Sequence, residues 1–157
     1  MQKLKLILGL IAGFIVTGLS IFFLEDLGRG QFEQYQNVPS DPELLDAFMM
    51  SLPSCAFIAL LLAHIVGVFV GTLTAGLISG WSRYIPAIVI GVFMSSFSVI
   101  NALEISHPLW YTITDTALMI SVAFIANRTY LKLFFQRLTL FYLTIVIDPL
   151  NVSALSS

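Results

Sequence analysis

The 157-residue chain has one cysteine, Cys55, which rules out an intramolecular disulfide. Charge is almost as scarce. Asp, Glu, Lys and Arg make up 10% of the residues, against about 25% in a soluble domain. That deficit leaves too little to cover a water-facing surface. The net charge is −2, with no basic surplus to neutralise phosphates, so nucleic acid is not an expected partner. There is no CxxC pair, zinc spacing, HExxH, Walker loop or GxGxxG. No serine, cysteine or histidine stands in a recognisable nucleophile context. The expectation is a non-enzymatic protein with no catalytic residue, metal or cofactor.

What the chain does have is apolar length. Hydrophobic residues make up 58% of it, and the mean hydropathy is +0.95. Four stretches approach the roughly 20 residues that a membrane-spanning helix needs: residues 4–24, 54–79, 86–103 and 108–126. The first follows Lys3 and Lys5 but is longer than a signal-peptide core and has no A-x-A site after it, so it reads as an uncleaved span. The fold class is therefore all-α, a four-transmembrane-helix bundle over residues 1–128, with a tail at 129–157 to which no structure is assigned.

Orientation follows from the basic residues. Lys3, Lys5, Arg83, Arg128, Lys132 and Arg137 share one side, which leaves only Arg29 on the other. The positive-inside rule then predicts both termini in the cytoplasm. The opposite side carries Glu25, Asp26, Glu33, Asp41, Glu43, Asp46 and Glu104. Trp81 and Tyr84 mark the inner boundary, and Trp110 and Tyr111 the outer one. In the first outer loop, SDPE at 40–43 predicts a short amphipathic helix over about 41–52. Its start is either Asp41 as N-cap before Pro42, or a capping box from Ser40 to Glu43. Leu44, Leu45, Phe48, Met49 and Leu52 fall on one face, which would rest on the outer membrane surface or cap the bundle.

Two patterns are candidates for function. In the second span Cys55, Ala59, Ala63, Gly67, Gly71, Ala75 and Ser79 recur every four residues, and Gly9 and Gly13 form a similar step in the first. Small residues at this spacing let helix backbones approach closely in lipid. The ladder reads either as packing between the first two spans or as the face of a homo-oligomer.

The second pattern is polar. His64 and Asp115 lie at similar depths in two spans that run in the same direction. An aspartate near a span centre costs about 2.5–3.5 kcal/mol unless it faces the bundle interior. Tyr111, Thr112, Ser95, Ser98 and Asn101 can join it in a polar seam. That seam reads as a hydrogen-bonded tie or as a proton or ion relay or ligand site; the remaining alternative has Asp115 facing lipid near the interface. Glu104 and His107, three residues apart, read as a solvated turn before Pro108 rather than a metal site.

The segments LGLIAGFIV, SLPSCAF, LLLAHIVGVFVG and HPLWYTITD resemble a widespread group of small bacterial four-helix membrane proteins. The resemblance covers about residues 4–127. It implies a multi-pass protein of the bacterial cytoplasmic membrane, with no activity attached. Members usually end soon after the fourth span with a glycine pair, whereas here Ala126-Asn127 and a long tail follow. Two function classes remain. One is action through helix packing, with lipid, another membrane protein or a second copy as partner. The other is a small proton- or ion-coupled transporter or channel built on His64 and Asp115.

Overall fold

The computed structural model describes residues 2–80 and 84–143. The described chain is all-helical: α1 (Gln2–Arg29), a 3-10 turn (Glu33–Asn37), α2 (Pro42–Ser51), α3 (Ser54–Ser79), α4 (Ile85–Glu104) and α5 (Leu109–Tyr142). The helices α1, α3, α4 and α5 are each long and apolar enough to cross a membrane. Their outward faces carry Ile7, Ile11, Ile15 and Leu19 on α1, Leu62 and Val66 on α3, and Val92 and Val99 on α4, all exposed. Such continuous apolar faces suit lipid as the solvent and would associate in water. Trp81, Arg83 and the tail from residue 144 onward lie outside the described residues.

Two span ends differ from the apolar runs by more than a turn. The α1 helix continues past Leu24 to Arg29, because hydropathy stops there but helix propensity does not. Glu25 and Arg29 pair across one turn at 2.9 Å and carry the helix outward. The larger correction is α5, which continues from the expected end at 126 to Tyr142. No glycine or proline interrupts residues 109–142. The last turns are exposed nearly all round, from Lys132 and Leu133 to Arg137 and Leu138. With no buried stripe there, the sequence shows no helical period to read.

The four-residue ladder of α3 packs on α1 from Ala59 to Ser79, whereas its first member, Cys55, is exposed. A Cβ built on Gly13 would lie 2.8 Å from the Gly71 carbonyl oxygen and 2.8 Å from the Ala75 Cβ. One on Gly71 would lie 2.6 Å from the Gly13 carbonyl oxygen and would collide with the Thr17 hydroxyl. Gly9 meets Ala75 and Ser79, Gly67 meets Thr17 and Ile21, and Ala59 faces Gly28. Ala63, at 2% exposure, is buried on the same helix. On the far side of α3, Gly76 lets the Tyr130 ring of α5 lie against the backbone. The α3 helix ends on Gly80, whose φ of 59° is the left-handed cap that favours glycine.

The α2 helix caps the acidic end of the bundle instead of lying apart on the surface. Leu45, Phe48, Met49 and Leu52 pack with Phe57, Leu60 and Tyr111. Leu44, expected on that face, is 58% exposed. The Asp41 carbonyl accepts the Leu45 amide at 2.8 Å, which makes Asp41 the residue before the helix and Pro42 its first. The Glu43 side chain of the alternative box lies outside what is described. Asp46 Oδ1 accepts the Ser106 amide at 2.9 Å and so ties α2 to the turn between α4 and α5.

Candidate functional site

A helical turn is about 3.6 residues, and the seam of α1 against α3 advances in steps of four: Gly9, Gly13, Thr17, Ile21. The next step is Glu25. Because α1 stays helical beyond its apolar run, the Glu25 carboxylate stands on the same seam, facing α3. Its Oε1 lies 3.0 Å from His64 Nε2. On the other side of the ring, His64 Nδ1 lies 2.7 Å from Asp115 Oδ1 of α5. Ser98 of α4 donates to Asp115 Oδ2 at 2.5 Å. Its hydroxyl also lies 3.3 Å from Thr116 Oγ1, and Ser95 donates to the Thr116 carbonyl at 2.9 Å. Each of the four long helices thus contributes to one connected polar chain.

Sequence reasoning put Glu25 in the outer loop and missed it. The signal was available, since the four-residue step of α1 lands on it. The other candidates divide between the chain, the cavity wall and neither. His64, Asp115, Ser95 and Ser98 belong to the chain. Tyr111, Ser98 and Asn101 line the adjoining cavity. Tyr111 is buried, stacked on His107 at 5.2 Å and against Phe57 at 5.2 Å. Thr112 is half-buried in the first turn of α5, and its amide bonds to the Pro108 carbonyl at 3.2 Å; it neither joins the chain nor lines the cavity. His107 Nδ1 lies 2.6 Å from the Ile105 carbonyl oxygen, and Glu104 is exposed. Among the described residues no group of three His, Cys, Asp or Glu side chains is placed to hold a metal ion.

The chain has a definite proton logic. A neutral imidazole has one donor nitrogen and one acceptor nitrogen, and an ionised carboxylate only accepts. Both ring nitrogens of His64 face carboxylate oxygens. Either His64 is an imidazolium between two carboxylates, or one carboxyl is protonated and donates to a neutral ring. All these arrangements hold the same two protons and differ only in their positions between Glu25 and Asp115. In the imidazolium form, Arg29, Glu25, His64 and Asp115 alternate in sign and sum to zero. Exposure is graded along the chain. The Arg29 side chain is 53% exposed, Glu25 20%, His64 16% and Asp115 2%.

The chain forms part of the wall of a cavity of about 780 Å³. Glu25, Arg29, His64, Ser98 and Asp115 line it with Tyr35, and most of the remaining wall is aromatic or aliphatic. The Tyr35 ring lies beneath the Arg29 guanidinium, 5.9 Å from ring centre to carbon. Burial pushes its phenol up from the ordinary tyrosine range, so it remains a neutral donor, and its hydroxyl is buried without a hydrogen-bond partner. Toward the basic end, Val68, Ile90, Met119, Val122 and Ala123 form an apolar block. The polar chain reaches from the acidic end to the cavity and stops above this block. Comparison with known protein families, curated proteins and solved structures finds no match.

Proposed function

We propose that this is a non-enzymatic multi-pass membrane protein that exchanges protons between the outer membrane surface and a cavity among its spans. Glu25 takes up or releases the proton, His64 passes it, and Asp115 holds it at the cavity wall. The observation that carries this reading is the pair of carboxylates on the two nitrogens of His64. An imidazole so placed moves a proton by shifting its tautomer, with no change in total charge. A chain that ends at a cavity serves the protonation of what the cavity holds, or of the cavity itself.

A second reading, a structural tie, draws on the contribution of all four spans to one network. Neutral hydroxyls and amides would tie helices at a lower desolvation cost than two carboxylates and an imidazole. Infrared difference spectra of the full chain in bilayers, taken between acid and alkaline buffer, separate the two. The relay predicts a titrating carboxyl C=O band that disappears in Asp115→Asn and shifts in Glu25→Gln, while both variants keep their fold. Exposed carboxylates such as Asp26 and Glu104 titrate in any case, so titrating carboxyl bands left unchanged in both variants would leave the tie as the correct reading.

The proposed orientation has both termini on the cytoplasmic side of a bacterial membrane. It is supported by Lys3, Lys5, Arg128 and Lys132 at one end of the bundle, against Glu25, Asp26 and Glu104 at the other. Cys55, the only cysteine, is exposed at the start of α3 on the acidic end. A membrane-impermeant maleimide added to intact cells is expected to label it. Labelling only after permeabilisation would reverse the orientation.

A further inference from the structure

The cavity has the form of a cleft between α1 and α4. At its narrow end Phe14 and Phe93 meet edge to face, with ring centres 4.8 Å apart. Beyond them, toward the acidic end, the two helices separate. A Cβ on Gly18 would have nothing within 4 Å. Phe22, at 65% exposure, and Phe97, at 58%, flank the opening on α1 and α4 and face outward as well as into the cavity. Leu45, Phe48 and Met49 of α2 close the end above. The open side therefore faces the surroundings of the bundle, which for these helices is lipid.

The walls divide by chemistry. The opening is lined by Phe14, Gly18, Phe22, Phe93 and Phe97. Polar groups gather behind it and beneath α2. One of them has capacity to spare, the Tyr35 hydroxyl, buried and unpartnered; the Asn101 side chain lines the same wall. The charges near them compensate one another, so a charged head would unbalance the site. An unpartnered buried donor costs free energy that an acceptor atom on a ligand would recover. The volume lies inside the range of about 300–1,000 Å³ typical of small-molecule sites.

From this geometry we infer that the cleft between α1 and α4 binds a lipid-like amphiphile taken sideways from the bilayer. Its apolar tail lies among Phe14, Phe22, Phe93 and Phe97. Its uncharged, oxygen-bearing head sits under α2, where Tyr35 donates to it. This deepens the proposed function by naming what the cavity holds. Its test leaves Glu25, His64 and Asp115 untouched, so either reading can fail while the other stands.

The probe is 1-monooleoylglycerol, added to the delipidated full chain in detergent and followed by native mass spectrometry. Oleate and oleylamine serve as anionic and cationic counterparts with the same tail. The wild type is expected to hold one monooleoylglycerol in preference to either charged probe. Gly18→Trp, which fills the open space at the mouth, is expected to lower its occupancy at least tenfold. Tyr35→Phe removes only the hydroxyl and is expected to lower it several-fold with the fold intact. Equal occupancy in the wild type and both variants would overturn the proposal, as would preference for oleate or oleylamine.

Discussion

His64→Leu is expected to destabilise the protein by about 3–5 kcal/mol, the range for removing one partner of a buried charged pair. The loss exceeds that of the two hydrogen bonds because of what remains. Asp115 is 2% exposed, and without the imidazole it retains, among the described residues, the Ser98 hydroxyl as its only side-chain partner at hydrogen-bond distance. Glu25 retains Arg29 and can turn toward water, since its side chain is 20% exposed. The penalty therefore falls on Asp115, which must take up a proton or draw in water. Adding Asp115→Leu removes the stranded carboxylate, and the double variant is expected to recover more than half of the lost stability. Denaturation of the wild type, both single variants and the double variant in mixed micelles gives the coupling between the sites directly. A double variant no more stable than His64→Leu alone would mean that the imidazole contributes by packing rather than by charge.

The sequence disclosed this pair through depth. Counting residues from the outer ends of two parallel spans placed His64 and Asp115 within a turn of each other, and the structure has them at 2.7 Å. The α3 limits were also legible, because Pro53 and Gly80 punctuate both ends of an unbroken apolar run. Glu25 was not legible by hydropathy. A hydropathy boundary marks where lipid ends, whereas a helix ends where its backbone loses support, and in α1 these differ by more than a turn. Reading the seam Gly9, Gly13, Thr17, Ile21 as a continuing four-residue step would have found it. The extension of α5 to Tyr142 was hidden for the opposite reason. An exposed helix has no face to bury, so neither apolar run nor period marks it, and only the lack of glycine and proline does. The cleft between α1 and α4 leaves no trace in either helix alone, because it depends on how far apart they diverge beyond Phe14 and Phe93.

Packing and chemistry are coupled along the α1–α3 seam, and Gly71→Leu tests that coupling. A side chain at Gly71 meets the Thr17 hydroxyl and the Gly13 carbonyl. The hydroxyl can rotate away, but the backbone carbonyl cannot, so α1 must move off α3. Overpacking of this kind costs about 1–3 kcal/mol where side chains can yield, and a backbone obstacle puts Gly71→Leu at or above the upper end. The same movement reaches the site. Ile21 rests against Gly67, and Glu25 lies one turn further along the same face, 3.0 Å from His64. A displacement of about 1 Å takes that contact beyond hydrogen-bond length. The variant is therefore expected to lose thermal stability and also the Glu25-dependent part of the titrating infrared band. Gly18→Leu, on the same helix with nothing within 4 Å of its Cβ, is expected to change neither. Should Gly71→Leu instead keep the monomer's stability while abolishing self-association in detergent, the α3 ladder would be an oligomer face, and the seam would not hold Glu25 in place.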